Sequence, residues 1–349
     1  MPRRRAALTS AASLLLAGAT LGLAAPHRSL PPLTWSILEG PPSTRRVVGN
    51  GEAAFARLAE HAFGRSGKLR VAVADPWRPL GLPLLWDQAS QPAEVSYRWL
   101  PLHGTRPLAL LGEDRLAVGL RAPAHAGIWK LQLRGPDWLQ EVNELSVITR
   151  VPFSEKRGGY LNGYRIGWYA TETEGRTDQY APPPGFIEVT PENQDLRVSE
   201  HFSLRNFLTK DQFSVWPKYL ALDLRLIDKL ELVLQELNAM GIRAEHLAIM
   251  SGFRTPAYNG PGEGGRARLS RHTYGDASDV WVDNDRDGYM DDLNGDGRRD
   301  TGDAVMMLRA VERVERRYPE LVGGAGVYPD NGAHGPFIHI DARGYRSRW

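Results

Sequence analysis

The chain has 349 residues, 42% of them hydrophobic and 24% charged, which is ordinary for a soluble globular protein and long enough for two domains. Its 43 basic and 41 acidic residues leave a net charge of +2, which gives no argument for nucleic acid or membrane as a partner. There is no cysteine, so disulfides, thiolate nucleophiles and cysteine-based zinc sites are excluded, and any metal must be held by histidine, aspartate or glutamate.

Residues 1–25 have the pattern of a secretory signal peptide. Three arginines precede an apolar run, and small residues around Gly22, Ala24 and Ala25 close it. The run is nearly long enough to span a bilayer, so an uncleaved anchor helix is the alternative, but the many small residues favour removal. We therefore expect an exported protein of the periplasm or cell envelope, with no membrane span after the signal is removed.

Residues 27–150 carry short stretches of alternating polarity broken by glycine and proline, and these predict a small β-sandwich-like domain. The clearest stretch is "GIWKLQLRG", in which Trp129, Leu131 and Leu133 point one way and the polar residues between them point the other. This alternation is typical of a half-buried strand. Further strands are predicted for "LRVAVADPW", "EVSYRWLPL" and "DRLAVGLRAP".

Residues 151–185 form a connecting segment rich in glycine, tyrosine and proline, and its proline run predicts a domain boundary near residues 175–185. Aromatic-rich stretches of this kind can bind glycans, although packing against the next domain is the plainer interpretation.

Residues 186–349 predict an α+β domain in which helices pack on an antiparallel sheet. One apolar stripe predicts a helix, and Gly241 stands where its C-cap is expected. The stripe consists of Leu226, Leu230, Val233, Leu234 and Leu237. A strand is predicted for "EHLAIMSG", a second helix is predicted to begin near Asp303, and a closing strand is predicted for "FIHIDARG". The apolar face of the second helix is Ala304, Met307, Leu308, Val311 and Val314.

In "SRHTYGDASD", His272 and Asp279 stand seven residues apart, which is wrong for two ligands on one helix face. Gly275 lies between them and would let the turn bend back, so that the two side chains converge. With His339 from the closing strand they make a His₂Asp set, and a catalytic zinc needs three protein ligands and one open position. By spacing alone, however, such a pair is more often structural than metal-binding.

Four motifs follow one another in the order "SGFRTPAYN", "SRHTYGDASD", "GGAGVYP" and "FIHIDARG". In this order they resemble the zinc peptidases of the D-Ala-D-Ala carboxypeptidase family, and most closely the branch that acts on peptidoglycan peptides. The segment "VSEHFSLRNFLT" is also similar to the beginning of that domain. The resemblance covers roughly residues 196–349 and does not extend to the N-terminal half.

The resemblance implies that His272, Asp279 and His339 are zinc ligands. It also implies that Arg254, in "SGFR", pairs with a substrate carboxylate or steadies the scissile carbonyl, which suits the fork of a guanidinium. The plainer role for Arg254 is a surface salt bridge. Ser270 would hydrogen-bond the substrate backbone, or would serve only as a turn hydroxyl.

The general base departs from the pattern of the family that the motifs resemble. Relatives often place an acid three residues before the last histidine, where this chain has Pro336, and some distant relatives place a histidine at the position of Phe337. Asp341 is the best substitute, because residues two apart on a strand face the same side as His339. Asp341 would otherwise only orient His339 from behind, and His334 is the other candidate base.

The resemblance thus implies an exported zinc metallopeptidase that hydrolyses peptide bonds in peptidoglycan stem peptides, as a D,D- or L,D-type carboxypeptidase or endopeptidase. The competing hypothesis is a non-catalytic, calcium-stabilised wall-binding module on a peptidase scaffold that has lost its activity. The missing acid at Pro336 favours the second hypothesis, and the intact ligand trio favours the first.

An acidic insertion, residues 283–303, follows the strand of Asp279 directly and predicts calcium binding. Its residues fit two overlapping twelve-residue loops with oxygen ligands at alternate positions and a glycine at position 6 for the sharp turn. The candidate ligands are Asp283, Asp285, Asp287, Asp291, Asp292, Asn294, Asp296, Asp300 and Asp303. Because both loops claim Asp292 and Asn294, we expect shared ligands, modest affinity and a structural role. The alternative is a solvated acidic loop.

Overall fold

The computed structural model describes residues 37–38, 56–58, 71–82, 84–87, 94–103, 114–143, 145–174, 180–260 and 266–349. The signal peptide predicted for residues 1–25 lies outside these ranges and stays a prediction. Within the ranges, no helix is long and apolar enough to cross a membrane.

The described N-terminal residues form two sheets of short strands. The strands are β1 (Ile37–Leu38), β2 (Ala56–Leu58), β3 (Val71–Ala74), β4 (Leu84–Asp87), β5 (Ser96–His103), β6 (Asp114–Arg115), β7 (Gly127–Arg134), β8 (Leu139–Glu141) and β9 (Ser146–Thr149). The smaller sheet has the order β1-β4-β2, and the larger has the order β3-β9-β7-β5-β6 with β8 beside β7. In the larger sheet β3 and β9 are parallel and the other pairs are antiparallel.

Strand β7 contains the stretch that predicted it, and its two faces are both covered. Trp129, Leu131 and Leu133 lie in a core that belongs to the N-terminal sheet, as the alternation predicted. On the opposite face Ile128 packs into a second, larger core, and Gln132 is buried between hydrogen bonds to neighbouring strands. The strand is therefore buried on both sides, because polar partners cover the face that was expected to meet water.

The stretch "DRLAVGLRAP" is a correction to the predicted strands. Only Asp114 and Arg115 pair as a strand, and residues Leu116–Val118 form a 3-10 turn instead. The turn ends at Gly119, whose φ of 86° lies in the left-handed region that favours glycine. The apolar run thus buries Leu116 and leaves Val118 exposed.

The connecting segment is continuous with the domain that follows it. Its elements are β10 (Val151–Pro152), β11 (Tyr160–Leu161), β12 (Tyr164–Arg165), helix α1 (Ala170–Glu174) and β13 (Gly185–Val189). Strand β10 pairs with β13, and β13 pairs with β14 (Lys218–Leu220), all antiparallel. Tyr164 and Tyr169 are fully buried, which fits the packing interpretation of this aromatic segment, whereas Tyr160 and Trp168 are exposed.

The C-terminal residues form a five-stranded sheet with two long helices. The strands and helices are α2 (Leu224–Ala239), β15 (Leu247–Ser251), α3 (Pro256–Asn259), β16 (Ala277–Val282), α4 (Thr301–Arg317), β17 (Gly324–Tyr328), β18 (Phe337–Asp341) and β19 (Ser347–Arg348). The sheet order is β15-β16-β18-β17-β19, antiparallel except for the last pair. The described chain is thus a mixed α/β protein with several sheets and few helices, compatible with the predicted α+β class.

Both long helices lie where apolar spacing predicted them. All five residues of the α2 stripe are buried, and Gly241 follows the helix with a φ of 83°. Helix α4 begins at Thr301, near Asp303 as predicted, because the side chain of Asp300 caps it and Asp303 completes a capping box. Asp303 therefore belongs to the first turn of the helix.

Lys229 of α2 joins the two helices to the sheet from a fully buried position. Its ammonium group donates to Oε1 of Glu315 on α4 at 2.7 Å and to the carbonyl of Asp341 on β18 at 2.6 Å. Burial lowers the pKa of Lys229, and the Glu315 carboxylate opposes this effect. The pair fixes the end of the strand that carries His339.

We expect Lys229→Met to lower the free energy of unfolding by about 3 kcal/mol, because it removes the fully buried cation of Glu315, leaving that carboxylate only its ion pair with Arg348, and also removes the donor to the Asp341 carbonyl. Urea denaturation followed by fluorescence measures the change. The matched control is Arg313→Met, which removes a half-exposed ion pair to Glu236 between the same two helices. That change is expected to cost less than about 1 kcal/mol. Equal effects of the two substitutions would contradict this account of Lys229.

Candidate metal centre

The pairing of β16 with β18 brings two of the predicted ligands together. Asp279 and His339 are direct partners across these antiparallel strands. Side chains of directly opposed residues lie on the same face of a sheet, so both project from one side of β16 and β18. Both are buried.

His272 reaches the same point from a 3-10 turn that precedes β16. The turn, Arg271–Tyr274, ends at Gly275, which has a φ of 76°. A Cβ at Gly275 would lie 2.3 Å from the carbonyl oxygen of Ala221, so glycine is required both by conformation and by space. The prediction that Gly275 lets the chain bend back between His272 and Asp279 is confirmed.

Three ligand atoms converge at this point. Nε2 of His272 lies 3.1 Å from Oδ1 of Asp279 and 3.2 Å from Nδ1 of His339. Nδ1 of His339 lies 2.9 Å from the same oxygen of Asp279. This buried group can hold a metal ion.

The outer nitrogen of His272 fixes which atom of the ring faces the centre. Its Nδ1 lies 2.7 Å from the carbonyl oxygen of Gly252. Because a carbonyl oxygen only accepts, Nδ1 carries the hydrogen and Nε2 presents a lone pair to Asp279 and His339. A metal-bound histidine has the same arrangement, with its other N–H donated to a carbonyl or carboxylate.

The electrostatics of the centre favour a cation. Burial lowers the pKa of His272, and Asp279 offsets this only in part. Burial also opposes a charged His339, but its hydrogen bonds to Asp279 and Asp341 prevail and raise the pKa of its imidazole. Burial acts to raise the pKa of Asp279, yet the two imidazoles hold it below its usual range. A carboxylate and two ring nitrogens thus face one another in a buried space that needs positive charge.

Asp341 lies behind His339 rather than beside the convergent atoms. Its Oδ2 is 3.1 Å from Nε2 of His339, the nitrogen on the far side of the ring. The same carboxylate accepts from the guanidinium of Arg343 and from the backbone amide of Gly324. Burial acts to raise the pKa of Asp341, but His339 and Arg343 hold it well below its usual range. A general base works best with a pKa near the working pH, so this geometry favours the orienting role over the catalytic one.

Arg254 is attached to the outer oxygen of Asp279. Its Nη2 donates to Oδ2 of Asp279 at 2.6 Å, and its Nε donates to Oγ of Ser251 at 2.7 Å. The side chain is 14% exposed, so it is a nearly buried ion pair and not the surface salt bridge considered from sequence. The guanidinium stands at the edge of the metal group, where it can meet a bound carbonyl or carboxylate.

The other two predicted site residues lie at the margin. Ser270 is buried as the N-cap residue of the turn that carries His272, and its carbonyl accepts from Thr273. His334 lies in the loop between β17 and β18, with its ring edge-on to Phe337 at 4.8 Å between centroids. Phe337 shares the face of β18 with His339, which places His334 on the ligand side of the sheet.

Several residues that support the centre were not singled out from the sequence. The Gly252 carbonyl accepts from His272, and the Ser251 hydroxyl accepts from Arg254. The Arg343 guanidinium donates to Asp341. Trp349 lies against His339, with 5.3 Å between ring centroids, and its indole fills the space beside Gly326. Only the "SGFR" and "DAR" motifs could have directed attention to Ser251 and Arg343.

A cavity of about 680 Å³ adjoins the turn of His272. Its walls come from the connecting segment, from α3 and from the turn itself. The aromatic, basic and amide side chains in its lining are Tyr160, Arg165, Trp168, Asn259, Arg268 and Tyr274. The indole of Trp168 is 55% exposed, so the cavity offers an aromatic surface together with arginine side chains. The three metal-ligand side chains are not part of its lining.

The carboxylates of the acidic segment accept backbone amides in both of its loops. Asp283, Asp285 and Asp287 each place one oxygen within 4.8 Å of the others. In the second loop the side-chain oxygens bond mostly to nearby backbone amides. Asp292 accepts from the amides of Gly295, Asp296 and Gly297, and Asn294 accepts from that of Asp296. Asp296 accepts from Arg298, Asp300 accepts from Gly302, and Asp303 accepts from Leu293, Asn294 and Asp300. Asp291, which precedes this loop, accepts from Asn284.

Comparison with known proteins finds no match to this chain. No family model matches the chain, and no curated protein and no solved structure matches it. The geometry of the site and the motifs of the sequence therefore carry what can be said about function.

We expect His272→Ala to abolish binding of one zinc equivalent per chain, because it removes one of three ligands. Asp341→Asn is expected to keep the stoichiometry but to weaken zinc affinity roughly 10- to 100-fold, since it perturbs the group that orients His339. Titration against a chromophoric zinc chelator measures both. The control is His125→Ala, an exposed histidine of the N-terminal sheet, which should leave affinity unchanged. Unchanged zinc binding in His272→Ala would contradict the ligand assignment.

Proposed function

We propose that this protein is an exported zinc metallopeptidase that hydrolyses peptide bonds in peptidoglycan. The observation that carries the proposal is the buried convergence of His272, Asp279 and His339, with ligand atoms 2.9 to 3.2 Å apart. Atoms bound to one tetrahedral zinc ion at about 2.0 Å lie about 3.3 Å from one another, so the spacing suits this metal. Nitrogen and carboxylate donors also suit zinc better than calcium or magnesium.

In this proposal each residue of the centre has a separate task. A zinc ion supplies Lewis-acid activation of a water molecule and of the scissile carbonyl. His272 and His339 present the ring nitrogens that their outer hydrogen bonds select, and Asp341 keeps His339 oriented. Arg254 steadies Asp279 and offers its remaining N–H groups to the carbonyl or the terminal carboxylate of a peptide.

Of the two candidate bases, we assign the proton transfer to His334 rather than to Asp341. The carboxylate of Asp341 lies beyond the His339 ring from the convergent atoms and has three donors. His334 is partly exposed and stands in a loop on the ligand side of β18. A neutral imidazole can take a proton from water and return it to the leaving amine.

Support for peptidoglycan as the substrate comes from the four motifs that resemble wall peptidases and from the cavity that adjoins the turn of His272. The cavity lies between the connecting segment and the two segments that carry Arg254 and His272. Exposed indole and phenol rings stack on sugar rings, and arginines pair with the carboxylates of stem peptides. A glycan strand with its peptide has both kinds of group.

One observation favours the competing function, a wall-binding module without activity. Pro336 occupies the position where relatives often have an acid, and the remaining carboxylate near His339, that of Asp341, is engaged by Arg343. Under this alternative the metal group would stabilise the fold, and the cavity would bind the wall without cleavage.

We expect zinc-loaded protein to release new products from purified sacculi, and His272→Ala to release none because it lacks a metal ligand. The products are shortened stem peptides or separated cross-linked muropeptides, identified by liquid chromatography and mass spectrometry. Pelleting with sacculi measures binding in the same samples. Tight binding by both proteins without any product from the wild type would establish the binding-module function instead.

We expect Arg254→Ala to lower kcat/KM on a synthetic stem peptide by roughly 100-fold, because it removes a positioned donor to the reacting carbonyl or to the substrate carboxylate. Arg254→Lys should recover only part of this loss, since an ammonium group cannot form the bidentate fork. Arg309→Ala on the exposed side of α4 is the control. Zinc content is measured in parallel, and a loss of zinc in Arg254→Ala would show that Arg254 acts only by holding Asp279.

A further inference from the structure

One buried carboxylate outside the metal centre has an oxygen without a partner. Asp283 directly follows β16 and is 4% exposed. Its Oδ2 accepts from the amide of Gly288 at 3.3 Å, but its buried Oδ1 makes no hydrogen bond to any residue that the structure describes. A buried carboxylate oxygen without a donor is costly unless a cation compensates it. This atom is therefore available to a metal ion.

Two further carboxylates converge on Asp283. Asp285 and Asp287 bring one oxygen each to within 4.8 Å of an Asp283 oxygen and of each other. The three are alternate residues of one loop, and Gly288 follows them with a φ of 87°. Alternate oxygen donors that precede a glycine in the left-handed region wrap around one ion in calcium loops.

Arg299 does not supply the missing charge. Its guanidinium lies 2.6 Å from Asp287 and 3.5 Å from Asp285, and its side chain is 43% exposed. It thus neutralises the two outer carboxylates from the solvent side and leaves Oδ1 of Asp283 without a partner. A compact ion between the three carboxylates would satisfy all of them, which a guanidinium held at the rim cannot do.

We propose that Asp283, Asp285 and Asp287 bind one calcium ion. All three donors are carboxylate oxygens, and Tyr289 occupies the next alternate position, where such loops contribute a backbone carbonyl. A hard divalent cation of the size of calcium fits this donor set. Position 12 is Asn294, which offers no bidentate carboxylate, so the dissociation constant is expected on the order of 10⁻⁴ M.

In the second loop no carboxylate has a buried oxygen that lacks a hydrogen bond. Asp292 accepts backbone amides with both oxygens. Asp303 is fully buried and also uses both oxygens, one for Leu293 and Asn294 and the other for Asp300. The ion therefore belongs to the first loop, and the second loop joins it to helix α4.

The proposed ion would brace the strand that carries Asp279. Asp283 is the first residue after β16, and the amide of Asp291 returns to the carbonyl of Val282 at 2.9 Å. The loop between them thus begins and ends at the same strand terminus, and an ion inside it would fix that terminus. This inference does not depend on peptidase activity.

The test uses the full chain, kept zinc-loaded and freed of calcium by a chelating resin. Calcium is titrated calorimetrically, and terbium is titrated by its luminescence, which Tyr289 and the nearby Trp281 can sensitise. Thermal unfolding is recorded with and without calcium. We expect one calcium ion per chain, displacement of terbium by calcium, and a rise in unfolding temperature of roughly 5 °C when calcium is 100-fold above its dissociation constant.

Four substitutions decide where the ion lies. Asp285→Asn and Asp287→Asn change exposed residues and should each weaken calcium binding roughly tenfold or more. Asp296→Asn in the second loop and Asp330→Asn in the loop between β17 and β18 are matched controls that should leave binding within about twofold. The absence of calcium and terbium binding by the wild type at millimolar concentrations would overturn the proposal. Loss of binding in Asp296→Asn but not in Asp285→Asn would overturn it as well, because the ion would then lie in the second loop.

Discussion

The register between β16 and β18 is the constraint on which the metal centre depends. It places a carboxylate directly opposite an imidazole on one face of the sheet, and the turn at Gly275 adds a second imidazole. The three inward atoms of Asp279, His339 and His272 are all electron-rich. They repel one another in a buried space unless a positive charge lies between them. The hydrogen bonds on the outer side of each ring prevent the imidazoles from turning away.

This arrangement requires a rigid support, and buried polar contacts provide it. Lys229 connects α2 to Glu315 of α4 and to the carbonyl of Asp341, the residue whose carboxylate orients His339. Arg343 neutralises that carboxylate from the other side. The end of β18 is therefore held by Lys229 from α2 and by Arg343, which follows the strand.

Strand β16 also connects the metal centre to the acidic segment. Asp279 lies within the strand, and Asp283 follows its last residue. One face of the strand thus carries a nitrogen-rich group, and its end carries an oxygen-rich group. Donor chemistry separates the two: imidazoles favour zinc and similar ions, whereas carboxylates and carbonyls favour calcium. In our proposals one cation binds on a face of β16 and a different cation binds at its C-terminal end.

Local patterns in the sequence predicted much of the C-terminal half. The apolar stripe of α2, the strand "FIHIDARG" and the left-handed turns at Gly241 and Gly275 could be predicted from neighbouring residues, and each is present. The two failures have different causes, the first local and the second non-local. The strand predicted for "DRLAVGLRAP" gives way to a turn at Gly119, and Gln132 is buried because Arg98 and Glu141 satisfy it from adjacent strands.

The same division applies to the site. The sequence by itself determined which residue types are available, since a chain without cysteine must use histidine and carboxylate as ligands, and the spacing around Gly275 allowed His272 and Asp279 to meet. Only the tertiary structure decided that Asp341 lies behind His339, that Arg254 holds Asp279, and that Asp283 rather than Asp292 keeps an oxygen without a partner. Such roles depend on which side of a ring or carboxylate a partner occupies. That direction is set by packing between segments far apart in the chain, and no local pattern records it.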